Sequence, residues 1–184
     1  MSGPLEQTLI DQMGQASALG AILRAWHEAL AADRGGRAAL RRAMEPGEAF
    51  AAAPFLRLCA SVMARFPEID HEALVDRLAP MALAVAEIDL DLPDTSPGRA
   101  LGKPAGQGKA LSGARLRLLA GTEEVGLFLR LLRGAIAQTG RQQSVLATAE
   151  LVRRWQRAPH TRERARRRLL LDYVAAAPKA FEAA

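Results

Sequence analysis

Residues 141–174 constrain the fold most strongly, because their apolar side chains recur with the three- and four-residue spacing of amphipathic helices. The positions that share one face of the first predicted helix are Val145, Thr148, Leu151, Val152 and Trp155. Ser144 is placed to cap the start of this helix. Pro159 and His160 then interrupt the pattern, and Thr161 is placed to cap a second helix. This stretch therefore predicts two helices joined by a short turn.

The second predicted helix combines an apolar stripe with a concentration of arginine. Its inner stripe consists of Ala165, Leu169 and Tyr173. Residues 162–168 contain five arginines: we expect Arg164, Arg167 and Arg168 to project into solvent, and Arg162 and Arg166 to extend past the edge of the stripe. Such a helix is typical of proteins that bind a polyanion. The same pattern also fits a solvated, arginine-rich surface with no ligand.

The composition of the whole chain favours helix over sheet. Apolar residues make up 49% of the 184 residues, with alanine and leucine dominant, and aromatic residues only 4%. This predicts an all-α protein, with residues 1–184 forming a single compact multi-helix (bundle-like) domain. Residues 89–109 are rich in proline and glycine and are predicted to form one long loop. The first dozen residues are expected to be loosely ordered.

Helix boundaries in the first half follow from glycine, proline and capping residues. A helix over residues 17–32 is expected to stop at Gly35 and Gly36. Pro54 is placed to open a later helix, and Asp70 to cap another. Pro80 lies inside that last helix, where it predicts a kink or a division in two.

Two further boundaries concern the middle of the chain. Residues 84–92 alternate between apolar and acidic as a strand does, but no partner segment is evident, so we predict a helix end that runs into the loop. Thr122 is predicted to start the most apolar helix, which should form the centre of the core.

Charge is distributed unevenly between the two halves of the chain. Residues 1–98 contain 8 basic and 14 acidic residues, whereas residues 99–184 contain 17 basic and 6 acidic residues. An acidic half suggests protein contacts or solubility, and a half this basic suggests contact with nucleic acid. The candidate nucleic-acid-binding residues are Arg37, Arg41, Arg42, Arg99, Lys103, Lys109, Arg115, Arg117, Arg154, Arg162, Arg164, Arg166, Arg167 and Arg168.

Catalytic, metal and nucleotide sites are hard to assemble from this sequence. The glycine-rich segment before Lys109 fails as a phosphate-binding loop, because Lys103 replaces the first glycine and Ala110 the Ser or Thr. Cys59 is the single cysteine, the three histidines are scattered, and the acidic clusters suit capping better than a two-metal site. We therefore expect a non-enzymatic protein without cofactor, metal or small-molecule substrate. The sequence shows neither a signal peptide nor a membrane-spanning run, which predicts a cytoplasmic location.

Several short motifs in a fixed order resemble one known family. They are the segment ILRAWHEAL with Trp26, the segment RAALRRAMEP with Arg41, Arg42, Glu45 and Pro46, the run from Pro54 to Leu58, the sequence Gly98-Arg99-Ala100-Leu101, the segment SGARLRLL and the closing RERARRRLLLDYV. Over residues 19–174 this order resembles the CasB family, the small subunit of the type I-E CRISPR Cascade complex. The chain departs from the family's pattern at Gly113 and Ala114, where charged residues are expected.

The resemblance implies an all-α, non-catalytic subunit present in two copies. Its implied partners are the backbone and large subunits of Cascade, a second copy of itself, the crRNA, and the target and non-target DNA strands. Its implied role is to stabilise the R-loop and the displaced non-target strand, with no membrane involved. One alternative is a stand-alone DNA-binding regulator that uses residues 144–173 as a helix-turn-helix. Another is a purely structural scaffold whose arginines are only solvated.

Overall fold

The computed structural model describes residues 18–68, 70–104 and 108–181, and it is almost entirely helical there, which confirms the predicted all-α class. The first dozen residues, for which loose order was expected, lie outside the described residues. The chain divides into two compact units, residues 1–86 and residues 87–184, called here the N-terminal and C-terminal units. The prediction of a single domain over residues 1–184 stays a prediction.

The N-terminal unit contains four described α-helices and one short 3-10 helix. They are α1 (Ala18–Ala32), α2 (Arg34–Arg42), the 3-10 helix Pro46–Ala51, α3 (Ala53–Arg65) and α4 (His71–Ala86). Trp26 of α1 is buried, and its Nε1 donates a hydrogen bond of 2.8 Å to the carbonyl of Pro54 at the start of α3. Burial of an indole with its N–H satisfied fixes α1 against α3.

Helix α1 ends at Ala32 as predicted, but Gly35 and Gly36 do not stop it, because they lie in the first turn of α2. The reason is Asp33, whose carboxylate accepts a hydrogen bond of 2.8 Å from the Gly36 N–H and starts α2 directly after α1. Arg57 donates to the same carboxylate at 2.6 Å. The Gly36 hydrogen bond and the Arg57 contact together hold the pKa of Asp33 below its ordinary value.

Proline and aspartate act largely as predicted in α3 and α4. Pro54 lies in the first turn of α3, and the carboxylate of Asp70 accepts from the N–H groups of Glu72 and Ala73. Pro80 does not divide α4, which is continuous from His71 to Ala86. Residues 78–88 are all buried, and this packing offsets the hydrogen bond that proline removes from the helix.

The described residues of the C-terminal unit form five α-helices, two very short strands and one 3-10 helix. They are β1 (Leu90–Asp91), α5 (Pro97–Gly102), α6 (Gly113–Gly121), α7 (Val125–Gln138), β2 (Gln142–Gln143), α8 (Val145–Trp155), α9 (Pro159–Ala176) and the terminal 3-10 helix Pro178–Phe181. Leu90 pairs with Gln142 and Asp91 with Gln143, in parallel. The prediction that residues 84–92 have no strand partner is wrong, because the partner is two polar residues, too short to show a pattern.

The predicted long loop over residues 89–109 is also wrong in part, since it contains β1 and the helix α5. Ser96 starts α5, because its hydroxyl accepts from the Arg99 N–H at 3.4 Å and Pro97 supplies a preset backbone angle for the first turn. A six-residue helix that contains two glycines is too short to show apolar periodicity. Its cap is therefore the only feature of the sequence that predicts it.

Two predicted helix starts are displaced and one is confirmed. Thr122 ends α6, whereas α7 is capped by Glu124, whose carboxylate accepts from Gly126 and Leu127 at 2.7 and 2.8 Å. Thr161 does not cap α9, which begins at Pro159. Ser144 caps α8 as predicted and accepts from the Ala147 N–H at 3.2 Å.

The core of the C-terminal unit is centred on two stacked aromatic side chains. The Phe128 ring of α7 lies parallel to the Trp155 ring of α8 with centroids 3.9 Å apart, and both are fully buried. Trp155 Nε1 donates to the Thr122 carbonyl at 3.1 Å. On α9, Tyr173 is buried and its hydroxyl donates to the Leu111 carbonyl, and burial raises the pKa of that hydroxyl. These contacts confirm the inner stripe predicted for α9 and the core position of α7.

A buried ion cluster ties the start of this unit to the end of α7. The Glu87 side chain, 7% exposed, accepts from Arg133 at 3.1 Å and also from Arg141. Arg141 follows Gly140, and both have positive φ, 58° and 87°, a backbone form that costs a non-glycine residue energy. The carbonyl of Arg141 accepts from the Asp89 N–H at 2.7 Å. Side chain and backbone of Arg141 therefore both hold the segment that forms β1.

Helix α5 lies unusually close to α9 because of two glycines. A Cβ added at Gly98 would lie 2.8 Å from Asp172 Cβ and 2.9 Å from the Tyr173 nitrogen. A Cβ added at Gly102 would lie 3.0 Å from the Tyr173 carbonyl oxygen. The four-residue spacing places both glycines on the helix face that contacts α9, so only glycine permits this backbone approach.

The Glu87 cluster generates a first prediction. Glu87→Gln leaves the Arg133 guanidinium, 8% exposed, without its buried counter-charge, so we expect the free energy of unfolding to fall by about 3–5 kcal/mol. The measurement is urea unfolding followed by Trp155 fluorescence, with Trp26 replaced by phenylalanine in every variant. Glu123→Gln, an exposed residue of the same unit, is the control and should change stability by under about 0.5 kcal/mol. Equal stabilities for the two variants would contradict the assigned role of the cluster.

The close approach of α5 and α9 generates a second prediction. Gly98→Ala forces backbone atoms apart, and we expect it to lower the free energy of unfolding by about 1–3 kcal/mol in the same assay. Gly134→Ala adds the same methyl group to α7 where no atom lies within 4 Å, so it should stabilise the protein by about 0.5–1 kcal/mol. We expect the two Gly→Ala substitutions to change the free energy of unfolding in opposite directions. A stabilising Gly98→Ala would refute the argument.

Candidate nucleic-acid interface

In the N-terminal unit, the three candidate arginines of α2 differ in their surroundings. Arg37 and Arg41 are half-buried, and the Nε of Arg41 donates to the Ala86 carbonyl at 2.8 Å. Arg42 is exposed, and its side chain makes no hydrogen bond or ion pair within the described residues. Of this group, Arg42 therefore offers the most accessible positive charge.

In the C-terminal unit, α5 and the segment after it place three cations in solvent. Arg99, Lys103 and Lys109 are all exposed, and none of their side chains has a polar partner in the part of the chain that the structure describes. Because α5 packs extensively against α9, Arg99 lies on the helix adjacent to the arginine-rich one. The segment Gly98-Arg99-Ala100-Leu101 thus combines a close-contact glycine, an exposed cation and two buried apolar residues.

Helices α6 and α8 carry three more of the candidates. Arg115 is exposed and donates to the side-chain oxygen of Gln138, and Arg117 is exposed on the same helix. Arg154 of α8 is 45% exposed, and its Nε donates to Glu150 at 2.5 Å. All three are accessible, and Arg115 and Arg154 are hydrogen-bonded to the side chains of Gln138 and Glu150.

Helix α9 presents its arginines as the periodicity predicted. Arg164 is exposed with no polar partner among the described residues, and Arg167 and Arg168 are 73% and 74% exposed. Arg162 and Arg166 are half-buried at the edge of the apolar stripe, and Arg162 donates to the Glu123 carbonyl at 3.0 Å. The predicted orientation of all five side chains is confirmed, while their role in binding stays a prediction.

Three carboxylates lie within this basic region and pair with its arginines. Glu150 accepts from Arg153 as well as Arg154, Glu163 accepts from Arg166 at 3.1 Å and Arg167 at 2.9 Å, and Asp172 accepts from Arg168 at 2.9 Å. Every pair lies three or four residues apart on one helix, a spacing that would have revealed them. Arg153, buried and bidentate with Glu150, was not a candidate and has a structural role.

The remaining chemical groups have structural roles. The carboxylate of Asp91 accepts from the Val145 N–H at 2.9 Å, so it supports the start of α8. Cys59 is buried, and desolvation raises the pKa of its thiol.

Within residues 18–68, 70–104 and 108–181, no cluster of His, Cys, Asp and Glu could hold a metal ion. None of the described helices is long and apolar enough to cross a membrane.

This geometry can bind phosphates but offers little for reading bases. Exposed guanidinium and ammonium groups on α5, α6, α8 and α9 provide donors to phosphate oxygens, which accept them without regard to sequence. Several of these donors are shared with carboxylates, which lowers the effective charge of the surface. The arrangement therefore suits weak, salt-sensitive contacts along a nucleic-acid backbone.

Comparison with known proteins agrees with the fold. A family model described as CRISPR-associated protein Cse2 matches residues 36–173, well over half of the chain. No curated protein matches the sequence. A chain in the crystal structure of E. coli Cascade bound to a PAM-containing dsDNA target has the same fold, with a TM-score of 0.61 and 24% sequence identity over 86% of this chain and 95% of that one. The chain therefore belongs to the CRISPR-associated protein Cse2 family, the small-subunit family of type I-E Cascade that its sequence motifs resemble.

Proposed function

We propose that this chain is a non-catalytic small subunit of a type I-E Cascade complex, in which it stabilises the R-loop and the displaced non-target strand. The observation that carries the proposal is the set of exposed cations on α9 and on or directly after α5, two helices held in close contact by Gly98 and Gly102. The cations of that set are Arg99, Lys103, Arg164, Arg167 and Arg168. Arg42 of the N-terminal unit is an additional candidate.

The proposed contacts are electrostatic, because the complex leaves sequence recognition to the guide. In RNA-guided DNA binding, base pairing selects the target, so a subunit beside the displaced strand needs positive charge and shape only. Each phosphate that an arginine or lysine neutralises releases about one counterion, and a footprint of ~4–6 cations gives a log–log salt slope of roughly −3 to −5. Binding should therefore be weak in isolation and should fall steeply with salt.

The proposed partners follow from family membership and from the solved complex. E. coli Cascade, which contains the similar chain, is bound in that crystal structure to a PAM-containing dsDNA target. For this chain we propose the backbone and large subunits, a second copy of itself, the crRNA and both DNA strands as partners. Among the acidic residues, Asp70 and Asp91 accept from backbone N–H groups at helix starts, and Glu163 pairs with arginines. Pure protein should not cleave DNA or RNA with added metal ions.

The helix-turn-helix regulator is less well supported by the geometry. A recognition helix reads bases with the residues of its first turns. The first turn of α9 presents Pro159 and His160 to solvent, while Arg162 is directed to the Glu123 carbonyl. Strong preference for one short duplex sequence would nevertheless favour the regulator over the proposal.

The α9 arginines provide the direct test. Replacing Arg164, Arg167 and Arg168 by alanine removes no buried atom, so the circular-dichroism melt should stay native while DNA retention by the reconstituted complex falls by about tenfold to a few hundredfold at moderate salt. The control replaces the exposed Arg24, Arg34 and Arg65, an equal change of net charge in the N-terminal unit, and should have a much smaller effect. Unchanged DNA binding with a native melt would identify the arginines as solvated surface.

The carboxylates that pair with these arginines provide a second test. Glu163→Gln removes the negative charge that Arg166 and Arg167 share, so we expect single-stranded DNA to bind about two- to tenfold more tightly, with a salt slope steeper by up to about one. Glu72→Gln makes the same change of net charge on α4 and should have little effect. Weaker binding by Glu163→Gln would mean that the carboxylate orients the arginines for phosphate and does not compete with it.

A further inference from the structure

A cavity opens at the surface of the C-terminal unit where α5, α8 and α9 meet. Its volume is about 170 Å³, and its walls are mostly apolar, with Pro97, Leu151, Ala165 and Leu169 among the lining residues. Ala147 of α8 lines it as well. For comparison, an apolar protein cavity of about 150 Å³ holds a benzene molecule. The space is therefore sufficient for one flat six-membered ring.

The rim of this cavity is charged and presents unused donors. Arg154 of α8 and Arg168 of α9 both line it, 45% and 74% exposed, beside the carboxylates of Glu150 and Asp172 that they pair with. In each case the hydrogen bond to the carboxylate of the same helix uses Nε. The terminal nitrogens of both guanidinium groups have no hydrogen bond to the residues that the structure describes. Two oriented guanidinium groups thus have free donors at the mouth of an apolar recess.

A nucleotide matches this combination better than a purely apolar or a purely anionic ligand does. The ring of an unpaired base can enter an apolar recess and stack on a guanidinium plane, while the phosphates on either side accept hydrogen bonds from arginine. A paired base cannot enter, because its ring is stacked inside the duplex. In an R-loop the displaced strand is single-stranded, so it offers a continuous run of unpaired bases.

We propose that this cavity is a subsite for one unpaired base of the displaced DNA strand, with Arg154 and Arg168 binding the phosphates that flank it. The proposal rests on the proposed function of the surface but adds a contact that charge alone does not provide. It predicts that the full-length protein distinguishes a strand that carries bases from an equally charged strand without them.

The test compares a short oligothymidine with the same oligomer made of abasic sites, and with a duplex of the same length. Base stacking is worth about 1–3 kcal/mol per base, so the wild-type protein should bind the oligothymidine at least about fivefold more tightly than the abasic strand. Ala147→Phe fills the cavity from a half-exposed position on α8 and should abolish that ratio. Its affinity for the abasic strand and for the duplex should not change.

Two further variants serve as a control and as a milder substitution in this test. Ala60→Phe adds the same ring at an exposed position of α3 and should keep the wild-type ratio. If Ala147→Phe does not give a native circular-dichroism melt, Ala147→Leu fills part of the same space and should reduce the ratio. Equal wild-type binding of oligothymidine and abasic strand, with a steep salt dependence for both, would overturn the subsite and leave the proposed function intact. Failure to bind either strand would overturn both proposals.

Discussion

The carboxylate of Glu87, shared by Arg133 and Arg141, is the interaction on which the C-terminal unit depends. It lies at the first residue of that unit and contacts an arginine within α7 and another just after it. Two guanidinium groups around one buried carboxylate satisfy most of its hydrogen-bonding capacity, which makes burial of the charge tolerable. Through the backbone of Arg141 the same cluster places β1 beside β2, and Asp91 of β1 then supports the start of α8. The pairing of β1 with β2 and the start of α8 thus trace back to one glutamate.

The helical class and the orientation of α9 were predictable because they depend on local periodicity. A buried stripe at Ala165, Leu169 and Tyr173 determines where every other side chain of that helix points, and the exposures of Arg164 and Arg167 follow from it. The role of Ser144 as an N-cap was equally predictable, since an N-cap hydroxyl accepts a hydrogen bond from a backbone N–H three residues away. Such features need no knowledge of what the helix packs against.

The features that were missed depend on residues distant in sequence or on very short elements. The Glu87 cluster joins positions 46 and 54 residues apart, and no local pattern connects them. Helix α5 has six residues, and its role depends on the backbone approach of Gly98 to α9, which becomes visible only once both helices are placed. The helix starts at Thr122 and Thr161 were misassigned because a glutamate and a proline nearby supply the better start. The cavity beside Ala147 likewise exists only where three helices meet.

Glu150, Glu163 and Asp172 each pair with one or two arginines of their own helix, and this pairing has a kinetic consequence. If the surface binds phosphates as proposed, a guanidinium that leaves a phosphate still has a carboxylate partner on its own helix, so the loss of one contact is partly compensated. We would then expect a low barrier to exchanging one phosphate for the next, even where the sum of the proposed contacts retains the strand. A strand on such a surface can shift along it in small steps while it remains bound, which suits a subunit beside a strand that lengthens as an R-loop grows.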